Sequence, residues 1–285
     1  MKKRETIFKN IFFLTALTSV IAVLLICIFL FVNGIPGITK IGLFEFLFGQ
    51  KWAPGNQPAS YGILPMILGS IYITLGAVLI GVPIGLLTAI FMAKYCPKKI
   101  YPVLKSAIEL LSGIPSVVYG FFGLMILVPL IRTVLGGSGN SILTAAILLG
   151  IMILPTIVGV SEAAIQAVPD SYYEGAVALG ASHDRAVFTA VVPAAKSGIL
   201  AAVVLGIGRS IGETMAVIMV AGNQARIPTG LLNGARTMTA NIVLEMGYAS
   251  GVHREALIAT GVVLFVFILI INFVFAYFKR KDNQS

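Results

Sequence analysis

Charge is scarce in this chain. Of its 285 residues, 11% are Asp, Glu, Lys or Arg and 58% are hydrophobic, whereas a soluble domain carries about 25% charged residues. That shortage excludes an ordinary soluble globule. Cysteine is almost missing: Cys27 and Cys96 are too few for a disulfide framework. Cys27 falls in an apolar run and Cys96 in a basic stretch, so both read as structural. The two histidines, His183 and His253, fall in different loops, which argues against a metal site. The dipeptide Gly-Lys does not occur, so there is no G-x-x-x-x-G-K-[ST] loop to cradle nucleotide phosphates. Short segments of alternating hydrophobicity, the mark of a membrane β-barrel, are lacking as well.

What the chain does contain is a succession of apolar runs of about 20 residues or more, the length that crosses roughly 30 Å of hydrocarbon. The first is Ile11–Val32, preceded by Lys2, Lys3, Arg4 and Lys9. It is longer than a secretory core and lacks a small-residue cleavage site, so it reads as a retained span. A second span is expected at 63–93, bent or locally unwound by Pro65 and Pro83. The third is expected near 107–131, the fourth near 142–161, the fifth near 198–222, and the sixth at Ala256–Phe278. The chain is therefore predicted to be an all-α polytopic membrane protein with six transmembrane helices. Its organisation reads as a tail, first helix and outer loop (1–62), a main transmembrane domain (63–278) and a short tail (279–285).

The net charge of +9 would suggest nucleic acid in a soluble protein. Here the basic residues crowd the short segments between spans, with lipid as their neighbour and no nucleic acid implied. Segments 1–10, 94–106, 168–197 and 279–285 hold thirteen of the twenty Lys and Arg, and the opposite set holds six, with Arg209 inside the fifth span. Short basic loops stay in the cytoplasm, so both termini and the 168–197 loop are expected there. On the other side, Phe44, Phe46, Leu47, Phe48 and Trp52 in segment 33–62 read as an interfacial aromatic anchor, with a dock for an external partner as the alternative. In segment 223–255, TMTANIVLEMG suits a short helix at a pore mouth. Arg226 and Arg236 read there as solvated loop charges, with an anion funnel as the alternative.

Three stretches carry chemistry. Glu174–Pro193, EGAVALGASHDRAVFTAVVP, is moderately polar and lies between two apolar runs. A transporter driven by a separate motor needs such a segment, because the motor must grip something outside the bilayer. The lead-in SEAAIQAVPD suits a helix end before Pro169. Glu174-Gly175-Ala176 then starts a helical stretch, Gly180 turns the chain, a second short helix covers about 182–190, and Pro193 precedes the next span. An ordinary amphipathic surface loop fits the same shape. In the fifth span, GIGRSIGETMAV places Arg209 and Glu213 four residues apart, hence on one helix face. Each is costly in hydrocarbon, so both should face the bundle interior or a wet cavity. Either they form an ion pair that fixes packing, or Arg209 lines the path of an anion, which guanidinium binds in bidentate fashion. Gly208 and Gly212 have the spacing that permits close helix contact. Finally, LLSGIPSVVYGFFG opens the third span, where Pro115 frees a carbonyl and Ser116 can satisfy freed groups; a kinked packing helix fits this pattern too.

The 174–193 loop resembles the EAA motif of ABC-importer permeases: Glu174, Ala176, Gly180 and Pro193 fall at the matching places, with Gly175, Ala190 and Val192 as departures. PSVVYGFFG, GRSIGETMAV and the FGQKWAP to YGILPMILGS region resemble the permease subunits of the phosphate-specific ABC importer, of the PstC type. The resemblance runs from about residue 40 to the end. It implies a MetI-like permease bundle in a bacterial plasma membrane, moving inorganic phosphate without a cofactor of its own. It implies three kinds of partner: a second homologous permease in a heterodimer, two ATP-binding subunits, and an extracytoplasmic phosphate-binding protein. Arg209 and Glu213 would be pathway residues, with Ser116 and Thr214 beside them in the same motifs. Glu174, Gly175, Ala176, Gly180 and Pro193 would meet the ATPase. Phosphonate, sulfate or molybdate remain alternative cargoes, and a passive anion channel or an intramembrane enzyme alternative classes.

Overall fold

A computed structural model describes residues 2–282; the extreme ends of both expected tails, and the side chains of residues 2–6 and 278–282, lie outside the described residues. The described residues are mainly helical, with one two-stranded hairpin and an irregular stretch over 221–237 that carries an isolated bridge between Gly222 and Ala235. The first helix, α1, runs Lys2–Ile41 and continues past the expected end at Val32, through Pro36. Every residue from Ile7 to Ile26 is exposed, so this half of α1 is not covered by the rest of its own chain. Its other half leans on the last helix, α14 (Gly251–Asp282). Gly34 and Gly37 make that possible: a Cβ at Gly34 would sit 2.6 Å from Val262 Cγ2, and one at Gly37 2.8 Å from the Glu255 carbonyl. Lys40 closes the contact with a 2.6 Å ion pair to Glu255.

The expected outer loop is instead structured. A short helix, α2 (Leu43–Phe48), leads into strands β1 (Trp52–Ala53) and β2 (Ser60–Tyr61), paired antiparallel with Trp52 opposite Tyr61. Phe46 and Trp52 are buried against Ile63, Met66 and Leu257. The aromatic-anchor reading of Trp52 is therefore overturned, because its neighbours in space are protein.

Helix α3 (Leu64–Ile90) extends by a wide π turn, Phe91–Tyr95. Pro65 sits in its first turn, where a missing N–H costs nothing, and the helix carries on through Pro83. Helix α7 (Ile142–Gln166) lies along it and is the most enclosed of the membrane-length helices. Lipid tails are as apolar as these side chains, so packing rather than water exclusion must hold the pair together. Glycines on α3 provide it: Gly76 faces Ala146, Gly81 faces the Gly150 carbonyl and Ile153, and Gly85 faces Ile157, all at distances that leave no room for a Cβ.

The third span differs from its expected bounds. Helix α4 (Tyr101–Gly113) is a separate element, and the membrane-length helix starts at Ser116: α5 (Ser116–Phe122), a wide turn Gly123–Leu127 and α6 (Val128–Leu135). After α7 come α8 (Asp170–Ala178), α9 (His183–Ala186) with a wide turn Val187–Val191, and α10 (Val192–Ala194). A bend of 68° separates His183–Ala194 from α11 (Lys196–Gly212). Helices α12 (Met215–Val220) and α13 (Met238–Glu245) precede α14. Five helices have the length and apolarity to cross a membrane, or six if the bent pair is counted as one span. One end of the bundle carries the hairpin and residues 221–250; the other carries the elbow of α8 to α10.

Candidate functional site

Two helix breaks meet side by side. The first follows from sequence: Pro115 disfavours a helical Ile114, which takes ψ 126°, and Pro115 itself has ψ 142°. The carbonyls this frees need partners inside the membrane. Tyr119 supplies one, its hydroxyl donating to the Leu111 carbonyl at 2.8 Å. The task expected of Ser116 thus falls to Tyr119, while Ser116 begins α5, half-buried.

The second break has no proline. Helix α11 ends at Gly212, Glu213 is extended (ψ 130°), and α12 begins after Thr214. Arg209 and Glu213 therefore do not share a helix face, and the reading from their spacing is corrected. Among the described residues no ion pair joins them. Glu213 folds forward instead, its Oε1 accepting the Ala216 N–H at 3.2 Å, where a carboxylate complements the helix N-terminus. Thr214 Oγ1 donates back to the Gly212 carbonyl at 3.2 Å.

A close approach brings the breaks together. A Cβ at Gly120 of α5 would lie 2.9 Å from Ala216 Cα and 2.7 Å from Met219 Sδ of α12. Arg209, half-buried in the last turn of α11, is within electrostatic reach of Tyr119. Gly206 presses α11 against Ile157 of α7, but Gly208 and Gly212 have nothing within 4 Å. The close contact expected at those two glycines is absent within this chain, and that face of α11 stays open beside Arg209. Leu205 of α11 and Val117, Val118 and Phe121 of α5 are exposed as well. A half-buried cationic side chain thus stands beside an uncovered glycine face.

At the hairpin end, sequence reasoning missed a buried polar cluster. Glu245, at the end of α13, accepts from Trp52 Nε1 (2.9 Å), Arg236 Nη1 (2.6 Å) and His253 Nε2 (2.8 Å). Burial alone would raise its carboxyl pKa, but the hydrogen bonds from Trp52, His253 and Arg236 and the Arg236 charge outweigh that and hold it below the ordinary value. Arg236 also donates to the Asn223 carbonyl and to Asn241 Oδ1. The solvated reading of Arg236 is therefore wrong, and His253 lies within α14 rather than a loop. The one available signal was an unpaired carboxylate, Glu245, inside the apolar TMTANIVLEMG.

The elbow end holds the other expected residues. Glu174, Gly175 and Ala176 lie inside α8, which begins four residues earlier than Glu174, at Asp170. Gly180 has φ +87°, the left-handed turn expected of it. Pro193 lies in α10, at the end of a helical run to Ala194 rather than in a connecting loop. Tyr173 Oη pairs with His183 Nδ1 at 2.8 Å, and Tyr95 Oη donates to Asp184 Oδ1 at 2.8 Å. Val187 and Val191 are buried with Ala89, Ile90 and Ile165. The elbow is thereby fixed to the ends of α3 and α7, while Tyr172, Val177, Leu179 and Phe188 are exposed on it. Nearby, Glu162 is buried and accepts from Tyr101 Oη (2.6 Å) and Lys105 Nζ (2.7 Å), tying α4 to α7.

Residues 81–282 match the family described as binding-protein-dependent transport system inner membrane component. The chain is 42% identical to the probable ABC transporter permease protein YqgH of Bacillus subtilis, over 90% of this chain and 86% of that one. It is 33% identical to the phosphate transport system permease protein PstC of Mesorhizobium japonicum, over 98% and 92% of the two chains. Among solved structures, a chain of a bacterial alginate ABC transporter aligns with a TM-score of 0.67 and 15% identity, covering 95% of this chain and 94% of that one. At that identity the likeness is one of fold.

Proposed function

We propose, from the premise that this chain belongs to the binding-protein-dependent transport system inner membrane components, that it is a transmembrane permease subunit of an ATP-driven inorganic phosphate importer. The chain is not an enzyme, and ATP hydrolysis resides in a separate subunit. The observation that carries the reading is half-buried Arg209 in the last turn of α11, beside an uncovered glycine face and next to two helix breaks within the bundle.

Each part then has a task. A phosphate that leaves water needs replacement partners for its charge, and the Arg209 guanidinium offers paired donors of matching geometry. Intramembrane charges of this kind mark substrate paths. Glu213, Thr214 and Ser116 border the same break points. A second, homologous permease covers the open face at Gly208 and Gly212. At the elbow, Glu174, Gly175, Ala176, Gly180 and Pro193, with exposed Leu179 and Phe188, form the face gripped by two ATP-binding subunits. Their closure moves α8 and α9 as one piece, and the attached α3 and α7 tilt with them. The elbow and both termini lie in the cytoplasm, and the hairpin end meets an extracytoplasmic phosphate-binding protein.

Arg209→Gln tests this reading. Phosphate uptake per assembled complex should fall roughly a hundredfold, as expected from losing a charge-assisted contact of about 2–3 kcal/mol. Uptake at the parent rate removes Arg209 from the path.

A further inference from the structure

We propose that Thr239 is a positioning residue that holds the α11–α12 break in its transport-competent shape through a directed chain of hydroxyl hydrogen bonds. The inference rests on the reading of Arg209 and Glu213 as pathway residues.

The break at Glu213 leaves its backbone carbonyl outside the helical pattern and in need of a partner from elsewhere in the fold. The Thr239 hydroxyl donates to it at 3.1 Å. Thr239 lies in the first turn of α13, 26 residues along the chain, so the contact pins one element to another rather than trimming a local turn. A threonine hydroxyl has one proton. That of Thr239 is committed to Glu213, so in the 3.0 Å contact between Thr237 Oγ1 and Thr239 Oγ1 the donor is Thr237. Thr237 in turn accepts the Ala240 N–H at 3.2 Å. The result is one polarised run from an N–H of α13 through two hydroxyls to the Glu213 carbonyl, each link strengthening the next. Both threonines are buried, at 4% and 8% exposure, so water does not compete.

The anchor of this run is held independently. Met238 N–H donates to Ser70 Oγ of α3 at 3.0 Å. Arg236 grips the Asn223 carbonyl on one side of the connection and Asn241 and Glu245 of α13 on the other. Thr239 is thus fixed to the most constrained part of the hairpin end. The break it supports sits between Arg209 and the start of α12, so the direction in which α11 presents Arg209 depends on it.

The experiment uses the complete transporter with its partner subunits, and compares Thr239→Val, which keeps the side-chain volume, with Thr239→Ser, which keeps the hydroxyl. Two readouts are taken: phosphate uptake per assembled complex, and hydrogen exchange of the amides from Glu213 to Ala216. Thr239→Val should lower uptake and speed that exchange by roughly tenfold each, the factor for one buried hydrogen bond, and Thr239→Ser should restore both. Parent-like uptake in Thr239→Val overturns the proposal, whether or not exchange changes. So does a Thr239→Ser variant as impaired as Thr239→Val, since packing and not the hydroxyl would then matter. Where Thr239→Val does not assemble, Thr239→Ala is judged by the same outcomes. Arg209→Gln is run in parallel. If it transports at the parent rate while Thr239→Val fails in both readouts, the Arg209 assignment falls and the Thr239 link stands.

Discussion

At the residue scale, the intramembrane charges of the fifth span are legible from sequence because a lone Arg or Glu in an apolar run is conspicuous. Their geometry is not. Spacing places Arg209 and Glu213 on one helix face, but the carbonyl of Glu213 is claimed by Thr239 and its carboxylate by Ala216, and the helix stops between them. The Glu245 cluster was invisible for another reason: Trp52 lies 193 residues away in sequence, and no local pattern reports such a contact. Its depressed carboxyl pKa has a consequence for stability. The ionised form of Glu245 stabilises the fold above the ordinary carboxylate value of about 4.3, and that contribution is lost as pH falls through the lower folded value. Glu245→Gln, which leaves Arg236 without its counter-charge, should cost about 3 kcal/mol at neutral pH. The Tm gap between parent and variant, followed from about pH 7 to about pH 3, should shrink at the acid end. A gap that is constant with pH would remove the charge from the account.

At the scale of elements, the long apolar runs located the spans, since hydrocarbon thickness leaves few alternatives. Errors gather where a helix is interrupted or prolonged. Pro115 announces its break, yet the expected third span ran across it, because the apolar pattern continues on both sides. Glu213–Thr214 announces nothing. Conversely, α1 runs nine residues beyond the expected Val32, because Gly34 and Gly37 dock on α14 and make helix the better-packed state. The elbow is more legible in the sequence. Gly180, at φ +87°, has nothing within 4 Å of a notional Cβ, so Gly180→Val is penalised by backbone alone, by roughly 1–2 kcal/mol. The helices on either side stay anchored through Tyr95 and Tyr173, so the chain should still fold while the angle between α8 and α9 changes. Co-purification of the ATPase with the permease should fall several-fold, and undiminished co-purification would exclude this turn from the contact.

At the scale of the whole molecule, the bundle has two unlike ends and one open side. Which end faces the cytoplasm was inferred from the placement of basic residues, and the chain carries its own reporter. Cys96 is a half-buried free thiol between α3 and α4, and Cys27 is the other cysteine. In a Cys27→Ser background, a membrane-impermeant maleimide should label Cys96 in inside-out vesicles and not in intact cells. The reverse pattern would place the elbow outside and disconnect it from any ATPase. The open side is set by Gly208 and Gly212, where a Cβ would meet nothing within 4 Å among the described residues, with half-buried Arg209 beside them. A copy made without the proposed second permease would turn a guanidinium toward acyl chains at about 2.5–3.5 kcal/mol. On the proposed pairing such a copy would be open to membrane quality control, so its abundance in the cell should follow synthesis of the proposed second permease rather than of its own message.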